Sequence, residues 1–268
     1  MRLPALCLAA LLAGPAAAHE FWLSPESYQV AVGEEIRIAT RVGDDFSGAS
    51  YSRFPGSIER SEFVMDGEAV PTEGRIGDRP AIAQAAPGEG LLVVVHETDD
   101  SRVRYEDWAK WERFTTRKGF PEGQARHIER GGSRELLIED YRRYAKSLVA
   151  VGAGEGADAP VGLDAEIVAL ANPYTQALTE MPLRVLYRGA PAPEKLIEVF
   201  SRPFGAPETE PEIAQMATDA EGVVRVPVEP GREYQIDSVF LDELDPPSPS
   251  GATFRTLWAN LTFLVPEG

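Results

Sequence analysis

Cysteine is nearly missing from this sequence. The 268 residues contain one, Cys7, near the N-terminus. A disulfide framework is therefore excluded, and so is any metal site built on CxxC pairs. Histidine is almost as scarce: His19, His96 and His127 are the whole supply. No HExxH motif occurs, because Leu23 stands at the fifth position counted from His19 as the first. There is no GxSxG elbow, no Walker A loop and no Rossmann glycine fingerprint, which removes the usual hydrolase and nucleotide-binding readings. Beyond residue 18 no stretch holds eighteen uninterrupted apolar residues, so no membrane-spanning helix is expected. Positive charge is outnumbered, with 26 Lys and Arg against 43 Asp and Glu, for a formal net charge of −17. So acidic a surface argues against nucleic acid and anionic lipid as partners. It attracts cations without specifying where one would sit.

What is present begins with a leader. Met1 and Arg2 supply positive charge, Leu3 to Ala13 is apolar, and Gly14-Pro15 breaks the run. Ala16-Ala17-Ala18 then offers small side chains to a signal peptidase. Cleavage after Ala18 is expected, which gives a periplasmic protein whose first residue is His19. Cys7 lies too far before that point to carry a lipid.

The rest reads mainly as strands. Tyr28 to Val32 and Glu35 to Ala39 alternate, Phe63-Val64-Met65 runs into the hairpin signal Asp66-Gly67, and Leu91 to Val95 suits a buried strand. Residues 104–147 differ. Tyr105, Trp108, Trp111 and Phe114 recur every three residues. Pro121 can open a short helix, Gly131-Gly132 can close it, and Ser133 can cap another. Leu137, Tyr141, Tyr144 and Leu148 fit one face of an amphipathic helix. Gly152 to Pro160 reads as a linker, after which strand patterns resume. The expected organisation is an N-terminal β-sandwich over 19–155, with a helical insertion at about 104–147, and a second β-sandwich over 160–268.

His19 carries the clearest chemistry. A histidine at a free N-terminus offers one metal two nitrogens, its α-amine and its ring Nδ1. The α-amine has a reference pKa of about 7.7–8.0, so a metal can displace its proton near neutrality. Such nitrogen sets suit Cu(II), Ni(II), Co(II) and Zn(II). His127 and then His96 are the candidates for further nitrogens. Glu20 is a candidate to orient a ring N–H, and Trp22 to pack beneath the terminus. Each histidine also has a plain reading: an ordinary first residue, a solvated helix face, a strand end.

The mature start His19-Glu20-Phe21-Trp22-Leu23-Ser24-Pro25, with Tyr28 and Gly33, resembles a family of periplasmic proteins known by a domain of unknown function. Tyr141 to Leu148, Gly162 to Ile167, Asn172-Pro173, Thr218-Asp219 with Gly222, and Trp258 to Phe263 extend the resemblance over nearly the whole mature chain. Members are often labelled periplasmic components of cobalt or nickel transport systems. The resemblance implies two β-sandwich domains, immunoglobulin-like and transthyretin-like, and a role in metal uptake. The expected function is thus non-enzymatic binding of nickel or cobalt at His19, for delivery to a membrane transporter. A non-metal interaction module and a copper oxidase with a histidine brace are the alternatives.

Overall fold

The computed structural model describes residues 19–267, and the expected leader lies outside the described residues. The first half contains β1 (Glu20–Pro25), β2 (Gln29–Val30), β3 (Glu35–Asp44), β4 (Ser47–Tyr51) and β5 (Ile58–Met65). It continues through β6 (Glu68–Pro71), β7 (Ile82–Ala85), β8 (Gly90–Thr98) and β9 (Ser101–Tyr105). Two helices follow, α1 (Trp108–Arg117) and α2 (Glu122–Glu129), and then the long β10 (Leu137–Val151). The second half holds β11 (Ala165–Ala169), β12 (Glu180–Tyr187), β13 (Ala190–Pro191) and β14 (Leu196–Pro203). It ends with β15 (Glu212–Ala217), β16 (Val223–Pro227), β17 (Arg232–Glu243) and β18 (Phe254–Val265). The fold is mainly β, as expected. Among the described residues no helix is long and apolar enough to cross a membrane.

Local turn chemistry behaves as the sequence suggests. Asp66 and Gly67 take φ of 50° and 82°, both left-handed, and join β5 to β6 with Met65 opposite Glu68. Arg188-Gly189 does the same between β12 and β13. Positive φ at both central residues matches the twist of the flanking strands.

The sheets form three layers. The central one has ten strands, with a main path β15-β14-β17-β18-β10-β8-β5-β6. β10 and β18 pair in parallel from Glu139 opposite Phe254 to Ser147 opposite Thr262, so strands from both halves of the chain share this sheet. On one face, Phe21, Leu23, Ile36 and Ile38 of the β1-β3-β4 sheet pack against Phe63, Leu92, Val94 and Val149. On the other, Ile167, Met181, Leu183 and Val224 of the β11-β12-β13 sheet pack against Val93, Leu148, Ile236 and Leu261. β10 alternates between the two cores: Tyr144 and Leu148 face one, Ala145 and Val149 the other.

The helical segment is shorter than expected. Helices cover 108–117 and 122–129, while residues 137–148, read as an amphipathic helix, are strand. Every residue from Tyr144 to Val151 is buried, so this segment has no solvent face to match a helical stripe. β8, β9 and β18 supply backbone partners along its two edges. Pairing and two-sided packing outweigh the local spacing. The aromatic stripe of residues 105–114 is packing: Trp111 is fully buried among Tyr105, Phe114 and Phe254. The segment 152–160 is pinned to the body. Asp158 pairs with Lys146 at 2.7 Å, and Asn172 donates to the carbonyls of Gly154 and Gly156.

Candidate functional site

The helices and the β1-β3-β4 sheet contact the same face of the central sheet. Trp258 packs on the helical side, and Thr262, two sheet positions along, donates to the Leu23 carbonyl of β1. Charged side chains gather between them. Register places Glu198 of β14 opposite Asp237 of β17, and Asp237 opposite Asn260 of β18. The start of β1 adds Glu20, and the end of α1 adds Arg117 and Lys118. Lys118 Nζ lies 2.9 Å from Glu20, 2.5 Å from Glu198 and 2.9 Å from Asp237, and 4.8 Å from the centre of the Trp258 ring. Arg117 reaches Glu198 at 2.8 Å and Asp45 at 2.5 Å. The second Glu20 oxygen accepts the Asp45 N–H at 3.1 Å.

Burial and ion pairing compete at each of these groups. Burial pushes the Glu20 carboxyl up to about 7 against the pull of Lys118, and it raises Asp237 as well. Burial also opposes the Lys118 ammonium, but Asp237, Glu20 and Glu198 together hold its pKa above the usual lysine value. Glu198 moves the other way: burial is outweighed by Lys118 and Arg117, which keep it below the ordinary glutamate range. Among the described residues Glu20, Glu198 and Asp237 are the one group of three metal-capable side chains with ligand atoms within 4.8 Å of each other. These are hard oxygen donors, which suit magnesium, calcium or manganese rather than nickel, cobalt or copper. The Lys118 ammonium already lies against all three.

The three histidines do not come together. His19 is partly exposed, its Nε2 3.3 Å from Asp44 Oδ2, and the Arg143 guanidinium donates to its carbonyl at 3.0 Å. His96, expected at a strand end, is buried inside the sheet. It packs tilted against Phe21 with Nδ1 3.4 Å from Ser61 Oγ, and burial followed by the Arg53 charge lowers its pKa to about 4. His127 is also buried, with Nε2 donating to the Ser133 carbonyl at 2.9 Å and its ring between Trp108 and Phe254. Gly132 makes room for it: a Cβ there would come within 2.3 Å of the imidazole. Neither ring joins His19 in a converging group of ligand atoms among the described residues. Glu20 does not orient a histidine, since Lys118 and the Asp45 N–H take up its carboxylate. The carboxylate beside His19 is Asp44. Trp22 is fully buried, edge-on to Phe46.

Beside this cluster a cavity of about 700 Å³ opens between α1 and the start of β1, with Glu20, Asp44, Tyr105, Arg113, Phe114 and Arg117 among its lining. Lys118, Glu198 and Asp237 were not singled out from the sequence. The available signal was a carboxylate inside an apolar strand: Leu196-Ile197-Glu198-Val199-Phe200 and Tyr234-Gln235-Ile236-Asp237.

The model of a family described as "Domain of unknown function (DUF4198)" matches residues 16–238. No curated protein matches the chain.

Proposed function

We propose, for a chain that belongs to the DUF4198 family, a non-enzymatic role in the bacterial periplasm: capture of a divalent transition metal, nickel or cobalt, at a processed His19. The metal would pass from there to a membrane importer. The observation that carries this reading is the contact of His19 Nε2 with Asp44, 3.3 Å away. A carboxylate on one ring nitrogen orients the imidazole and raises the basicity of the other. That leaves Nδ1 to close a six-membered chelate with the α-amine. Arg143 holds the His19 carbonyl, and β1 begins at the next residue, so the chelating residue is anchored. The burial of His96 and His127 speaks for a two-nitrogen chelate completed by oxygen, and against a histidine brace.

Titration of Ni(II), Co(II), Cu(II) and Zn(II) into protein beginning at His19 tests this, beside protein carrying one extra N-terminal residue. Binding should be tight in the first and lost in the second. Asp44→Ala should weaken it by roughly 10–100-fold, the usual cost of losing a carboxylate behind a ligating histidine. Equal affinity in both forms would overturn the assignment. The non-metal interaction module has one observation in its favour: Lys118 already sits among the three carboxylates, where an ion would lie. Absence of binding in both forms would support it.

A further inference from the structure

We infer that the cavity beside α1 is a binding site for a small organic anion with an apolar body. Its volume, about 700 Å³, is that of a small-molecule pocket. Lys110, Arg113, Phe114 and Arg117 all line it, and their spacing places them on one face of α1. Trp111 and Thr115, on the opposite side of the helix, are buried in the protein. Phe114 is only half-buried, and with Tyr105 it gives the cavity an aromatic wall.

The charges on the lining differ in whether an ion-pair partner holds them. Glu20 shares Lys118 with Glu198 and Asp237, and Arg117 pairs with Asp45 and Glu198. Asp44 faces His19, and Glu112 accepts from the Trp108 indole N–H. Lys110 and Arg113 remain, and neither forms an ion pair with any described residue. In a protein of net charge −17 an anion is repelled over most of the surface. Two cations without ion-pair partners, set beside an aromatic wall, give an anion a local pair of contacts there. The ligand class follows: one anionic group for Lys110 and Arg113, and an apolar body for Phe114 and Tyr105. The inference does not depend on metal binding at His19.

The test uses two fluorescent probes of nearly the same shape, 8-anilinonaphthalene-1-sulfonate and the uncharged N-phenyl-1-naphthylamine. They are titrated into metal-free protein beginning at His19. The sulfonate should bind at a single site, about tenfold or more tighter than the neutral probe. The double variant K110E/R113E changes partly or fully exposed side chains, so its melting temperature should match the parent. It should lose about tenfold or more in sulfonate affinity and leave the neutral probe unaffected. Equal affinity for the two probes, sulfonate binding unchanged in the variant, or no binding of the sulfonate would each overturn the inference.

Discussion

Lys118 carries one charge and touches three buried carboxylates. Removing such an ammonium leaves charge that burial has already desolvated, and breaking a buried ion pair this way costs about 3–5 kcal/mol. Lys118→Met should lower stability by that amount in urea unfolding at pH 7. The loss should shrink as pH falls and Glu20 and Asp237, both raised by burial, take up protons. His96 works with the opposite sign. Its folded pKa of about 4 lies below the ordinary 6.5, so the unfolded chain binds its proton first. Its neutral burial therefore contributes stability above pH 6.5 that is lost as pH falls toward 4. Between pH 7 and 4.5 the loss from this one group is about 2–3 kcal/mol. Glu139, pushed up to about 7 by burial, acts against it, so the clean quantity is a difference. His96→Gln should reduce the stability lost between those two pH values, relative to the parent. An identical pH dependence in parent and variant would exclude this role for His96.

α1 links the two candidate sites. Its last turn supplies Arg117, the next residue is Lys118, and its outer face lines the cavity. The helix starts at Asp107, whose carboxylate accepts the Ala109 N–H at 3.0 Å. Asp107→Ala should cost about 1 kcal/mol, the usual value for losing an N-cap, measured by chemical denaturation. Loss of the cap loosens the first turn, around Lys110, and leaves Lys118 held by its carboxylates. The strand β10 shows how an element can mislead. Its residues at 137, 141, 144 and 148 satisfy a helical spacing, and nothing within the segment rules that out. The preference for strand comes from β18, more than a hundred residues later, and from β8 and β9.

At the scale of the whole molecule, the parallel pairing of β10 with β18 makes one sheet out of both halves of the chain. Both outer sheets bury their apolar faces against it. A fragment of residues 160–268 lacks β10 and β8, so it leaves an edge of β18 unpaired and part of its core uncovered. That fragment should remain unfolded by far-UV circular dichroism. The intact protein should unfold in urea with coincident tryptophan fluorescence and circular dichroism transitions, as one cooperative unit does. Two separated transitions would show that the halves are independent.

The sequence by itself determined the local features. The Asp66-Gly67 turn, the buried strand around Leu91 to Val95 and the stop at Gly131-Gly132 rest on backbone sterics and short-range patterns within a few residues. It also brought His19 and Glu20 forward, one by its place at the expected terminus and the other as its neighbour. Only the tertiary structure decided which groups meet. His96 and His127 lie 77 and 108 positions after His19 in the numbering, and spacing in the chain carries no information about whether their rings converge. Lys118, Glu198 and Asp237 are likewise scattered. Strand register and the docking of α1 assemble them, because burial of apolar faces fixes which strands lie side by side, and the polar side chains must then be satisfied wherever that packing leaves them.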